Sequence, residues 1–126
     1  MRTNLAYSAY SQNNISIESS EKLIKMLYEG ILKFSSQAKR SIELKDIEKK
    51  VYWINRSIAI FTELINSLNY DGGNIAHYLS GLYTQQIKLL STANINNDIT
   101  KLDEVINVTK SLLLIWNEET AYEMDE

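Results

Sequence analysis

The chain has no cysteine, no proline, a single histidine and only four glycines. Each scarcity removes a class of protein. Without cysteine there is no disulfide framework and no thiolate metal site, and the balance leans toward a reducing compartment. Without proline, helix interiors go unbroken and β-turns lose their main punctuator, which fits long helices joined by short links better than a many-turned sandwich. Charge of one sign is also lacking. Thirteen Lys and Arg stand against sixteen Asp and Glu, a net charge of -3, so there is no basic footprint for nucleic acid and little attraction to an anionic membrane. No stretch approaches the run of about 18 apolar residues that spans a bilayer. Met1 to Ser20 is polar and does not read as a signal peptide.

What is present is one domain's worth of chain. The 126 residues are 44% hydrophobic, enough for a single core, and the expected domain is 1–126. Residues 1–18 read as a mobile N-terminal arm or mini-helix with apolar anchors at Leu5, Tyr7 and Tyr10. A first helix should start near Ser19 or Ser20, whose hydroxyls suit an N-cap, and end near Ile42 to Leu44. Leu23, Leu27, Ile31, Phe34 and Ala38 recur on it every three to four residues, with Gly30 inside the pattern. Asp46 can cap a second helix with the cleanest stripe, Ile47, Val51, Ile54, Ile58, Phe61, Ile65 and Leu68, a heptad-like seam. Asn69-Tyr70-Asp71-Gly72-Gly73-Asn74 reads as a cap and turn. A third helix is expected over 75–93, with Leu79, Leu82, Gln86, Leu89 or Leu90, and Ala93 inward and Tyr78 and Tyr83 beside that face. Asn94 to Asn97 should break it, and Asp98 should cap a fourth helix carrying Leu102, Val105, Thr109, Leu112 and Trp116. A second stripe there is Ile99, Ile106 and Leu113. Glu118 onward reads as a short frayed acidic tail. The expected fold is all-α, an antiparallel up-down-up-down four-helix bundle.

The chemistry of the known bundle enzymes is missing. A di-iron bundle needs paired Glu-x-x-His motifs, and His77 stands alone with no Glu three residues before it. Zinc would lack nitrogen and sulfur ligands, Gly72-Gly73 lacks phosphate-loop spacing and follows a helix, and nothing marks a Ser-His-Asp set around His77. No catalytic, metal or cofactor-binding residue is expected.

What remains is apolar and aromatic surplus. A bundle helix needs about three core positions per heptad. The second and fourth helices offer more, with Trp53, Ile60, Leu64, Ile106 and Leu113 beside the tyrosines Tyr28, Tyr78 and Tyr83. Two readings stay open: a wide core rimmed by tyrosines, or an exposed apolar groove for a partner helix anchored at i, i+3/i+4 and i+7.

These residues carry a resemblance. Ala6-Tyr7 and Ala9-Tyr10, the segment Leu23-Ile24-Lys25-Met26-Leu27-Tyr28-Glu29-Gly30, and then Leu82-Tyr83, Ala93-Asn94, Asp98, Leu102, Glu104-Val105 and Trp116 follow in the order and spacing of one family. The chain resembles the flagellar secretion chaperones, the FliS proteins, along nearly its whole length. One departure is Ser19-Ser20, where the family typically opens its first helix with Ser/Thr-Pro.

The resemblance implies a cytoplasmic chaperone that binds the C-terminal segment of flagellin, prevents premature polymerisation and supports flagellar type III secretion. It implies no cofactor and no enzymatic activity. Export-gate components or a co-chaperone are further expected partners, with no nucleic acid, no membrane insertion, and a monomer or weak dimer. The expected client groove comprises Ile58, Phe61 and Ile65 on the second helix and Tyr78 and Leu82 on the third. Ile106, Leu113 and Trp116 complete it on the fourth, and Tyr7 and Tyr10 would act as an N-terminal lid. The rival readings are an adaptor or regulatory protein of the export system, and a homodimeric structural bundle.

Overall fold

Asp46 and Asp98 begin two of the four helices, and their surroundings explain both short links. In the computed structural model, which describes residues 9–10 and 17–124, the helices are α1 (Ile17–Glu43), α2 (Ile47–Asn66), α3 (Asn74–Asn96) and α4 (Ile99–Met124). The Asp46 carboxylate accepts from the Lys49 N–H at 3.1 Å, and that of Asp98 from the Thr100 N–H at 3.0 Å. Each satisfies an amide that the first turn leaves without a helical partner. The residue before each aspartate takes the left-handed conformation, Lys45 at φ 59° and Asn97 at φ 53°. That reversal ends the preceding helix and folds its last carbonyls back onto the link.

Side-chain contacts between helices hold the chain antiparallel. Ser35 of α1 meets Ser57 of α2, hydroxyl to hydroxyl at 3.3 Å. Phe61 of α2 meets Tyr83 of α3, and Lys39 of α1 pairs with Asp103 of α4 at 2.9 Å. Helix α1 packs on α2 and α4, and α3 on α2 and α4. The result is the expected all-α four-helix bundle.

On α1 and α2 the core shares only part of the expected stripe and otherwise turns by one residue, whereas on α3 Leu79, Gln86, Leu90 and Ala93 are inward as expected and only Leu82 gives way to Tyr83. On α2 the buried set is Lys50, Ile54, Ser57, Phe61 and Leu64, followed by Leu68. Ile47 and Val51 point outward at 68% and 36% exposure, and Ile58 and Ile65 are half-buried. On α1, Ile24, Tyr28, Ile31, Ser35 and Ala38 are buried, while Leu23 is 44% exposed and Leu27 and Phe34 are half-buried. On α3, Tyr83 is central and Leu82 is the flank. The 3.6-residue period holds in every case. Two apolar stripes one residue apart satisfy it equally, and side-chain volume decided between them. Ser35 and Ser57 let α1 and α2 approach where isoleucines would not fit.

Three boundaries also differ. Helix α1 begins at Ile17, two residues ahead of the first serine candidate, within the ordinary latitude of helix ends. Helix α3 continues through the asparagine run to Asn96, because only Asn97 needs the left-handed conformation. Helix α4 runs to Met124 and is not a frayed tail from Glu118. Glu, Ala and Met are good helix formers, and their propensity outweighs an unfavourable acidic C-terminus.

Candidate functional site

Three tyrosine hydroxyls meet inside the bundle, at the end away from the short links. Tyr28 of α1 and Tyr83 of α3 have phenol oxygens 2.6 Å apart, and the Tyr10 hydroxyl bonds to Tyr83 as well. All three side chains are at most 3% exposed. Burial, the largest cause in each case, pushes their hydroxyls above the ordinary phenol range, so they stay neutral. Trp116 closes the cluster from α4. Its ring meets Tyr10 and Tyr28 edge-on, with centroids 6.0 and 6.5 Å apart. Its indole N–H donates to the Glu21 carbonyl at 3.1 Å. The carbonyl of buried Ala9 accepts from the Asn69 N–H at 2.6 Å, which fastens the same turn to the α2–α3 link.

This is the geometry of a docked segment. Tyr10 is held by hydroxyl contacts within the cluster, by the backbone bond of its neighbour Ala9, and by packing against Trp116. A neutral hydrogen bond nets only about 1 kcal/mol because water or another donor can replace it. Tyr7, the other residue expected in the lid, lies outside the described residues. Neither open reading, a tyrosine rim or an exposed groove, places Tyr28 and Tyr83 at the centre, where the structure has them. The signal for their centrality was available: Ala76, Leu79, Tyr83, Gln86, Leu90 and Ala93 form an unbroken three-four stripe.

The eight expected groove residues divide by depth and by face. Phe61 and Trp116 are 0% and 1% exposed and belong to the core. Ile58, Ile65, Leu82, Ile106 and Leu113 are half-buried, and Tyr78 is 65% exposed. Ile58 and Ile65 lie on the flank of α2 opposite Trp53 and Ile60, which face α1 through Phe34 and Gly30. Ile106 and Leu113 share the flank of α4 that carries Asp103, and so face α1 through Lys39. The fold therefore does not gather all eight on one surface. It adds two outward side chains from the uninterrupted run Leu112 to Trp116: Leu114 at 59% and Ile115 at 49% exposure.

Among the described residues, no three His, Cys, Asp or Glu side chains assemble as metal ligands, and no helix is long and apolar enough to cross a membrane. His77 is exposed and rests against the Tyr70 ring at 4.8 Å.

Fold and surface together define a helical bundle whose distinctive features are apolar and aromatic contact surfaces. Residues 2–123 match the family model described as flagellar protein FliS. The flagellar secretion chaperone FliS of Campylobacter jejuni is 60% identical over 119 residues, covering 94% of this chain and 93% of the relative. That of Bacillus subtilis is 31% identical over 112 residues, 89% and 84% of the two chains. The Salmonella typhimurium protein is 29% identical over 126 residues, 94% and 92%. The chain belongs to the FliS family of flagellar secretion chaperones.

Proposed function

We propose that this chaperone works in the cytoplasm and holds the C-terminal segment of flagellin, keeping it from polymerising until it is delivered to the type III export apparatus. The observation that carries this reading is the set of apolar side chains left half-covered or exposed on α2, α3 and α4, spread over more than one flank of the bundle. Ile58, Ile65, Leu82, Ile106 and Leu113 are only half-covered, and Tyr78, Leu114 and Ile115 are exposed. A client segment that folds on binding gives up chain entropy, and apolar burial must offset it. At ~25 cal/mol per Å², covering on the order of 1,000 Å² yields about 25 kcal/mol gross, most of it consumed by ordering and association. The surplus suits a complex that is firm and still reversible.

Tyr10 acts in this proposal as a lid that leaves as the client arrives. The Tyr83 hydroxyl, still bonded to Tyr28, then loses its Tyr10 partner and can bond to the client. The test is isothermal titration with a peptide spanning the C-terminal segment of the flagellin from the same organism, followed by circular dichroism of the mixture. Saturable 1:1 binding with more helix than the sum of the parts is the expected result. No heat and no added helix from intact components would sink the reading. The same titration on a chain lacking residues 1–12 addresses the lid: unchanged affinity together with unchanged dye-accessible apolar surface removes it.

A further inference from the structure

On the α1–α2 side, away from the tyrosine cluster, four side chains form a connected surface group. Phe34 of α1 stacks on Trp53 of α2 with centroids 5.3 Å apart and planes 25° from parallel. Tyr52 meets the same indole edge-on at 4.8 Å. The Arg56 guanidinium lies over both outer rings, 5.0 Å from the Phe34 centroid and 5.8 Å from that of Tyr52. Tyr52 is 51% exposed, Arg56 is exposed, and Phe34 and Trp53 are half-buried. Among the described residues Arg56 has no carboxylate partner. Leading up to the group along α1, one helical flank carries Leu23 at 44% exposure, half-buried Leu27 and then Phe34. Gly30 interrupts that flank, and a Cβ there would come within 2.9 Å of the Ile60 Cδ1. The glycine thus lets α1 and α2 close up beneath the cluster.

We propose that this face is a second docking surface, for an acidic amphipathic helix of another protein. The chemistry follows from the residues. A guanidinium placed between two rings, 5.0 and 5.8 Å from their centroids, is confined to that spot, and its forked N–H groups suit two-point capture of a carboxylate. An apolar flank at i, i+4 spacing ending in that cation matches a helix with apolar anchors and a Glu or Asp about two turns along. The surface lies apart from the half-covered residues of α3 and α4, so a protein bound here leaves the proposed client surface open. This inference does not rest on the identity of the client.

The test uses the two tryptophans as reporters. The chain holds only Trp53 and Trp116, so nitrogen-15 NMR resolves one indole on this face and one in the core. The probe is a capped synthetic helical peptide with Leu at i, i+4 and i+7 and Glu on the adjoining positions, beside a version with Gln for every Glu. The acidic peptide should shift the Trp53 indole and leave Trp116 in place. Arg56→Gln, on an exposed position that spares the fold, should weaken binding about tenfold or more, as should the Gln peptide. Arg56→Lys should weaken it too, because an ammonium cannot make the forked contact. Equal binding of the Gln peptide, equal binding by Arg56→Gln, or no Trp53 shift would overturn the proposal. Saturation of the same shift by inorganic phosphate alone would reduce the site to a simple anion contact and overturn it as well. A mass that doubles with concentration while Trp53 broadens, in the absence of peptide, would assign the face to a second copy of the chain instead.

Discussion

The two ends of this bundle are built on different principles. At one end lie both short links, which are closed by local polar contacts. The Asp46 N–H reaches back to the Ser41 carbonyl at 2.8 Å, and the Asp98 N–H to that of Ala93 at 3.2 Å. Lys50 adds a long-range tie beside the Lys39–Asp103 pair: its ammonium donates to the Asn94 carbonyl at 2.8 Å and to the Asn97 side-chain oxygen at 2.7 Å. A cation among the last carbonyls of α3 also complements the helix dipole. At the other end the α2–α3 link is longer and contains a 3-10 turn at Tyr70–Gly72. Its packing is aromatic and remote in sequence, drawing together residues 10, 28, 83 and 116. Local polar closures hold the links in a fixed geometry. Remote apolar contacts with exchangeable hydroxyls can open without unfolding the rest. A binding protein that must take up and release a chain is better served by the second kind.

That contrast can be broken by mutation. Trp116→Ala strikes the aromatic end and should produce the largest effect, a loss of about 3–5 kcal/mol in urea unfolding, as expected for truncating a buried aromatic. A loss smaller than that of any polar-end variant would reverse the ranking. Lys50→Met keeps the aliphatic stem and removes the ammonium, and should cost about 1–2 kcal/mol by orphaning two acceptors. Amide exchange should rise near Asn94 to Asn97 and remain unaltered around Tyr83; a rise at both ends would mean that the ends are not independent. The smallest effect is a gain. Lys45→Gly relieves a left-handed residue and should add about 0.5–1 kcal/mol. Asn97→Gly relieves the same conformation but removes a Lys50 acceptor, so it should stabilise less. Equal gains in thermal unfolding would show that the Lys50–Asn97 bond contributes nothing.

How much of this was legible beforehand differs by element. The Asp46 and Asp98 caps were readable because a capping carboxylate acts within three residues. The α2 stripe was readable as a period but not as a phase. Ile54, Phe61 and Leu68 belong to both candidate registers, and only the close approach of Ser35 turned Ser57 inward and Ile58 to the flank. The asparagine run before Asp98 looked like a four-residue break because each asparagine tolerates the left-handed region, yet one was sufficient. Among the groove candidates, Phe61 and Trp116 had the right hydrophobicity for a binding face and proved to be core. Hydrophobicity measures the tendency to leave water and says nothing about which neighbour completes the burial.

By itself the sequence determined the helical class, the number of helices, the positions of the two short turns and the family. Those depend on periodicity, on caps and on residues absent altogether, and all of them act over a few neighbours or across the whole composition. Tertiary structure alone decided the inward register of α1 and α2, the central place of Tyr83 on α3, the meeting of Tyr10, Tyr28 and Tyr83, and the placing of Arg56 over Phe34 and Tyr52. Each depends on which small side chains allow two helices to approach, and that is a property of pairs of surfaces far apart in the chain.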